Sequence, residues 1–393
     1  MKILFIAHWN EDKENTIGKK LQGQVNAFEE LGHQVTAIQF QEGAIWTVES
    51  DQKQRLFPVS ENGFVHLLAI PKAVHMLLKK GKHYDFSYAR RTFCTPWHLM
   101  MLRELKNNSV FTVEELPTYP YDDENKLYTR KSYQIAAAIE KVCRKYYHHW
   151  LDLFTTVSFD TEIFQVPAIH IDNGVDLKAI PYAEHTYLPN NPIHIVTISS
   201  MKPWHGYERL IRGLANFKQI APERAKRFII EMVGDGPMRD EWKTLSEDLN
   251  ISGQVIFHGQ QTGESLDAIV NRCQIAVGSL GINKISSSFQ VTSTLKVREY
   301  LARGIPFIYA VKDSLPLENS YGFLVENDDS PIDFSKLEKF CNQLALQKDI
   351  SFKMRKFAEK HISWVGQMKI VVDAVHQRKN YKTRNGNEKY AFE

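Results

Sequence analysis

The sequence predicts an α/β protein built as two doubly wound, Rossmann-like domains facing a cleft. Three observations carry this expectation. Short apolar runs alternate with helical patterns along the whole chain, the signature of parallel sheets covered by helices. The alternation runs once to about residue 175 and restarts at about 192, with the breaker-rich stretch 181–192 between them. The 393 residues are enough for two domains, each with its own core.

In order along the chain, the first half offers strands at 2–7, 34–40, 84–90, 109–114, 152–157 and 168–171. The second half offers them at 193–199, 227–233, 254–258, 274–280, 306–311 and 322–325. Ile17, Leu21, Val25, Phe28 and Leu31 mark one helix face, ended by Gly32. Tyr207 to Phe217, Met238 to Leu249 and Leu266 to Cys273 repeat that spacing. The expected domains are therefore 1–182 and 192–360. The residues after 377 form a polar, frayed tail, 378–393.

Composition excludes several classes. Hydrophobic content of 43% and charged content of 24% are those of a globular protein. A net charge of +3 is too small to argue for nucleic acid as a partner. The four scattered cysteines, Cys94, Cys143, Cys273 and Cys341, suit free thiols in a reducing cytoplasm rather than zinc or disulfides. No apolar run reaches the ~18 residues of a membrane span, and the apolar start 1–7 reads as a buried strand rather than a leader. Any membrane contact is therefore peripheral, at the inner face of the cell membrane.

The residues with chemistry to offer collect at strand ends. Thr292, Ser293 and Thr294 are candidate caps of a helix over 294–303, whose start leaves free N–H groups suited to a phosphate. Lys296 and Glu299 lie one turn apart on it, and Gly304 ends it. Strand 193–199 leads into a loop with Lys202, His205 and Gly206, the cationic and donor groups that suit a diphosphate. Val233-Gly234-Asp235-Gly236-Pro237 forms a tight loop with open backbone N–H groups. His258 and Gly259 end the next strand, where a flat base fits by backbone contacts. Ser279 ends the following one, and 282–292 is a candidate gated loop over the site.

In the first domain, Gly18 and Lys19 stand near a helix start after the first strand. Glu114 and Glu115, followed by Thr118, Tyr119, Asp123 and Glu124, are candidates for acceptor activation or charge stabilisation. Arg90 and Arg91 can either bind phosphate or pair with these carboxylates, and both readings stay open. His98 reads as a packing histidine. The helix over 131–150 carries Lys131, Lys141, Arg144, Lys145, His148 and His149 beside Tyr133, Tyr146, Tyr147 and Trp150. Lys72, His75, Lys79, Lys80 and Lys82 add to the basic face. Contact with an anionic membrane and a solvated face with inward tyrosines both fit.

With these motifs in order, the chain resembles family 4 glycosyltransferases of the two-domain GT-B architecture. The shared elements are the opening strand with Gly18, Leu31-Gly32-His33-Gln34-Val35, Asn173-Gly174-Val175-Asp176, the loop from Lys202 to Gly206, Val233 to Pro237, and Glu299 to Pro306. The stretches 117–121 and 204–211 are similar to bacterial capsule and exopolysaccharide transferases. Residues 361–377, around Trp364, resemble the family's last helix, which crosses back to the first domain. The resemblance implies a retaining, metal-independent hexosyltransferase without a cofactor. Its donor would be a nucleoside-diphosphate sugar, UDP- or GDP-linked, and its acceptor a glycan or lipid-linked sugar in cell-surface polysaccharide synthesis.

Carried over residue by residue, donor binding falls to His205, Gly206, Gly234, Gly236, His258, Gly259, Ser279, Thr294, Leu295 and Glu299, with Glu299 at the ribose. The catalytic candidates read from the residues themselves are Lys202 and Lys296 for charge stabilisation and Glu115 for acceptor activation or charge stabilisation. Acceptor binding falls to Gly18, Lys19, Arg90, Glu114, Thr118 and Tyr119. Two departures stand out. The family's first sugar-facing glutamate would fall at Val291, and its phosphate-binding Arg and Lys at Ser200 and His205, so Lys202, His205 and Lys296 are expected to supply the positive charge. A sugar-nucleotide epimerase of the same fold is the enzymatic alternative. A non-catalytic two-domain ligand-binding protein is the other.

Overall fold

The computed structural model describes residues 1–10, 16–50, 52–59, 63–91, 93–122, 131–185, 187–188, 191–284 and 291–389. The chain forms two compact units. One is Met1–Gly174 together with Trp364–Glu393, and the other is Val175–Ser363.

The first unit holds a nine-stranded sheet in the order β4-β3-β2-β1-β5-β6-β7-β9-β8. Its strands are β1 (Lys2–Asn10), β2 (Gln34–Gln41), β3 (Ala44–Glu49), β4 (Gln52–Pro58), β5 (Phe86–Arg90), β6 (Phe111–Leu116), β7 (Leu153–Thr156), β8 (Glu162–Ile163) and β9 (Val166–His170). The run from β2 through β9 is parallel, as alternation with helices requires. The edge strands β3, β4 and β8 are antiparallel additions, which corrects the expectation of purely parallel pairing. The hairpin went unread because β4 begins Gln-Lys-Gln-Arg, four exposed residues without an apolar run.

Two cores flank this sheet. On one face α1 (Thr16–Glu30) and the last helix cover Ile3, Phe5, Phe86 and Tyr88. On the other, α2 (Gly63–Lys79) and α3 (Pro96–Asn107) cover Leu4, Ile6 and Ala89. α4 (Lys131–Cys143) and the short α5 (Tyr147–Trp150) complete the layer before the chain enters the second unit.

The second unit has a parallel six-stranded sheet in the order β12-β11-β10-β13-β15-β17. The strands are β10 (Ile193–Ile198), β11 (Phe228–Val233), β12 (Val255–Gly259), β13 (Ile275–Val277), β15 (Phe307–Tyr309) and β17 (Gly322–Leu324). β14 (Val291–Thr292) and β16 (Lys312–Asp313) pair separately. This is the doubly wound order in which connections reverse between β10 and β13, the place where such sheets bind ligands. The helices are α6 (Glu208–Ile220), α7 (Pro222–Ala225), α8 (Arg239–Asp248), α9 (Gly263–Arg272), α10 (Leu295–Arg303), α11 (Phe334–Leu344) and α12 (Ile350–His361).

The boundary falls earlier than the breaker-rich stretch. Val175 N–H donates to the Ile362 carbonyl at 2.8 Å, and Arg355 donates to the carbonyls of Leu177 and Ile180. Residues 175–185 are thereby tied into the second unit. The chain then ends in α13 (Trp364–Lys389), which returns to the first unit. It stays helical through 378–389, where the sequence predicts a frayed tail, and Lys379 lies 3.8 Å from Asp85. None of the described helices is long and apolar enough to cross a membrane.

Candidate active site

In the second unit, the loops after β10, β11, β12 and β13 meet backbone to backbone at the carboxyl edge of the sheet. Leu280 N–H donates to the His205 carbonyl at 2.8 Å and Gly281 N–H to that of Trp204 at 3.2 Å. Met238 N–H reaches Met201 O at 3.0 Å, and Gly234 N–H reaches Gly259 O at 2.7 Å. This approach needs residues without side chains. A Cβ on Gly206 (φ 65°) would lie 2.5 Å from Gly281 N, and one on Gly234 (φ 118°) would lie 1.8 Å from Ser199 O. Gly236 shares the second loop, where its N–H donates to Asp235 at 2.8 Å.

Lys202 caps the single 3-10 turn Pro203–His205. Its N–H donates to His205 Nδ1 at 2.9 Å, so the ring proton sits on Nε2 and the imidazole is neutral. Burial, with Lys296 and Lys202 close by, holds the His205 pKa down to about 2. This corrects the expectation that His205 supplies positive charge. It remains in the loop as a neutral group stacked on Tyr207, with ring centroids 5.7 Å apart.

α10 begins where expected. Thr294 is its N-cap and accepts from Val297 N–H at 3.4 Å, which leaves Leu295 and Lys296 in the first turn. The Lys296 ammonium donates to Tyr207 Oη at 3.1 Å. It is enclosed by protein, although part of the side chain still meets solvent. Burial brings its pKa down to about 7, against the opposing pull of Glu299 one turn on. Glu299, Ser279 and Gly259 are all half-buried at the same edge. His258 points its ring at the scaffold. Glu231 takes contacts from His258 at 2.5 Å, His194 at 2.7 Å and Arg272 at 2.8 Å. Burial opposes ionisation of Glu231, but these hydrogen bonds bring its pKa down to about 2.

Two arginines that the sequence did not single out build the walls. Arg209 is 1% exposed and donates to the carbonyls of Leu280, Glu326 and Ser330. Arg298 is fully buried and donates to both Asp313 oxygens at 2.7 and 2.6 Å, to Ser293 Oγ at 2.9 Å and to Ser314 Oγ at 2.7 Å. Ser293 apart, their partners lie in other segments, so only the fold reveals them. The middle of the expected gated loop, 285–290, lies outside the described residues.

In the first unit, Glu114 and Glu115 are adjacent on β6 and so face opposite sides of the sheet. Glu114 meets His98 Nε2 and Tyr147 Oη, each at 2.7 Å. His98 is thus a buried packing partner, as expected. Glu115 meets Lys20 at 2.5 Å, Gln24 at 2.9 Å and Tyr88 Oη at 3.1 Å, with Arg90 at 3.9 Å. Burial works against its charge, yet Lys20 and Arg90 hold its pKa down to about 2. Both carboxylates are therefore saturated, and the structure does not join them as a catalytic pair, which corrects the role expected of Glu115. Arg91 pairs instead with Glu140 at 2.6 Å.

Thr118 and Tyr119 follow β6 half-buried, with Tyr119 edge-on to Tyr121 and Phe164. Gly18 is buried and Lys19 exposed in the first turn of α1, while Asp123 and Glu124 lie outside the described residues. The four cysteines are buried and free. Among the described residues no group of three or more His, Cys, Asp or Glu is placed to hold a metal ion.

Comparison with known proteins agrees with this geometry. Residues 183–316 match the model of the glycosyl transferases group 1 family, which covers the β10–β15 part of the second unit. No curated protein matches the chain by sequence. The fold is similar to that of a glycosyltransferase from Rickettsia africae ESF-5, at 15% identity and TM-score 0.62 over 96% of this chain and 97% of that one. It is similar to HepE of Anabaena, solved with UDP-glucose, at 16% identity and TM-score 0.60 over 96% and 100%. It is also similar to WaaG, a glycosyltransferase of lipopolysaccharide biosynthesis, at 13% identity and TM-score 0.62 over 95% and 99%. The architecture is accordingly that of GT-B glycosyltransferases, two Rossmann-like domains with parallel sheets.

Proposed function

We propose that the chain is a glycosyltransferase of family 4 type, moving a hexose from a UDP- or GDP-linked donor to a glycan or lipid-linked acceptor in cell-surface polysaccharide synthesis. The observation that carries this reading is Lys296. An enclosed ammonium with a depressed pKa stands at a capped helix start, one turn before Glu299 and against Tyr207, which directly follows Gly206. A diphosphate supplies the charge that this environment lacks, and Glu299 offers a carboxylate to the ribose hydroxyls.

Catalysis in this reading is stabilisation of the leaving diphosphate. Lys296 and Lys202 supply charge, the first turn of α10 supplies N–H donors, and neutral His205 supplies a further donor at Nε2. No step needs a metal or a cofactor, and the reaction is assigned as retaining. The acceptor is assigned to the first unit, near Gly18, Lys19, Arg90 and the Thr118–Tyr119 segment. The match of residues 183–316 supports transferase chemistry over the epimerase alternative.

A thermal-shift screen with UDP, GDP and their hexose conjugates tests the donor assignment, since a ligand of the folded state raises the melting temperature. A shift with one base series is expected. No shift with any nucleotide overturns the reading.

A further inference from the structure

Tyr207 belongs to the core of the second unit, yet its oxygen reaches the donor edge. It directly follows Gly206, and its ring is fully buried. The ring stacks on His205, with centroids 5.7 Å and planes 18° apart, and Trp242 packs against it at 5.1 Å. Both neighbours are themselves held. His205 Nδ1 accepts from Lys202 N–H at 2.9 Å, and buried Trp242 donates from Nε1 to Glu208 at 3.1 Å. A close-packed ring between two such neighbours has one position open to it.

Among the described residues, the phenol oxygen of this ring is the one hydrogen-bond partner of Lys296 Nζ, at 3.1 Å. An ammonium has three N–H groups, so two remain for a ligand. The contact also leaves the charge in place. Burial holds the Tyr207 phenol well above its ordinary pKa, so it stays neutral. A carboxylate there would cancel the charge that an anion needs. The other titratable groups that face this ammonium are Glu299, on its own helix, and neutral His205, in the loop after β10. Phenylalanine would stack on His205 and Trp242 equally well, so packing alone does not account for the buried hydroxyl.

We propose that Tyr207 is a positioning residue of the donor site, whose neutral phenol tethers the Lys296 ammonium and turns its two remaining N–H groups to the diphosphate. Lysine is a flexible four-carbon stem, and a tether at its tip removes rotamer freedom before the ligand arrives. The same hydrogen bond favours the charged lysine against the burial that opposes it. The inference rests on the reading of Lys296 as a diphosphate ligand. The tether itself belongs to the free protein and is measured there.

Tyr207→Phe in the full chain tests it, because the ring stays and only the hydroxyl goes. In the free protein, the Lys296 signal of isotope-labelled lysine, identified by its loss in Lys296→Met, is followed by NMR across pH. Its midpoint is expected to fall by about one pH unit in Tyr207→Phe. Calorimetry then gives the affinity for whichever of UDP and GDP the wild type binds. The variant should bind at least about tenfold more weakly at about pH 8, and the loss should shrink at about pH 5, where the lysine is charged in both proteins. Added to Lys296→Met, Tyr207→Phe should cost no further affinity, since it acts through the lysine. An unchanged midpoint overturns the tether. A loss that is equal in the Lys296→Met background overturns the positioning role, because it marks a structural one. If the wild type binds neither nucleotide, the donor reading fails and Tyr207 loses its place in it, even where the midpoint shift shows the tether.

Discussion

Lys296 shows how far single residues were legible. Its place one turn before Glu299 is visible in the sequence, and so is its place in the first turn of a helix. Its contact with Tyr207, and the burial that depresses its pKa, come only from packing. The same packing removes His205 from the list of cations, because Lys202 N–H and Lys296 both surround its ring. Two predictions belong here. Lys296→Ala should lower turnover by more than ~100-fold, the effect of losing one charge-stabilising donor, and near-normal turnover would remove the phosphate assignment. The second concerns pH. The free lysine titrates near 7, and a bound diphosphate favours its charged form. Affinity should therefore be full below that pH and fall by up to about tenfold per unit above it. His205, Tyr207 and Glu299 face the same ammonium, and of these His205 stays neutral throughout. Calorimetry in buffers of different ionisation enthalpy should detect proton uptake on binding at pH above about 7. Lys296→Met should lose both the uptake and the slope.

At the scale of elements, α10 depends on its entry. Arg298 reaches back from the second turn to Ser293 and across to Asp313 and Ser314, while Ser314 N–H donates to the Thr292 carbonyl at 2.9 Å. Removing one member of such a buried pair leaves the other charge uncompensated. Arg298→Met should therefore cost about 3–5 kcal/mol, measured by denaturant unfolding, whereas Thr294→Ala should cost only about 1 kcal/mol as a lost cap. Equal costs for the two would contradict the assigned hierarchy. The parallel strands and the amphipathic helices α1, α6, α8 and α9 were legible because each shows one strong period. The β3–β4 hairpin was not, since an edge strand with exposed Gln52 to Arg55 carries no apolar signal. Glu114 and Glu115 looked like a pair by adjacency. The two-residue period of a strand separates them, and that argument was available from the sequence once β6 was placed there.

At the scale of the whole molecule, the order of the chain and the order of the units differ. The second unit is one continuous segment whose two ends meet, as Val175 bridges to Ser363 and its N–H reaches Ile362 O. The first unit is completed only by α13, which arrives last. Trp364 at the head of that helix fills a slot made by two glycines. A Cβ on Gly23 would lie 2.4 Å from the indole Cδ1, and one on Gly174 would lie 2.6 Å from Cδ2. Lys20 stands over the same ring at 5.6 Å while holding Glu115 and Asn173. Met368, Val371 and Val375 then continue the core beside Phe28. Two fragments should consequently behave differently. Residues 175–363 expressed alone should melt cooperatively and keep the nucleotide thermal shift of the full chain. Residues 1–174 alone expose the Trp364 slot and an apolar α1 face, so they should fail to melt cooperatively until a peptide of residues 364–389 is added or fused. Gly23→Val in the full chain should mimic that loss, because the added branch needs the space the indole occupies. A cooperative melt of 1–174 without the peptide would show that α13 decorates the first unit rather than completing it.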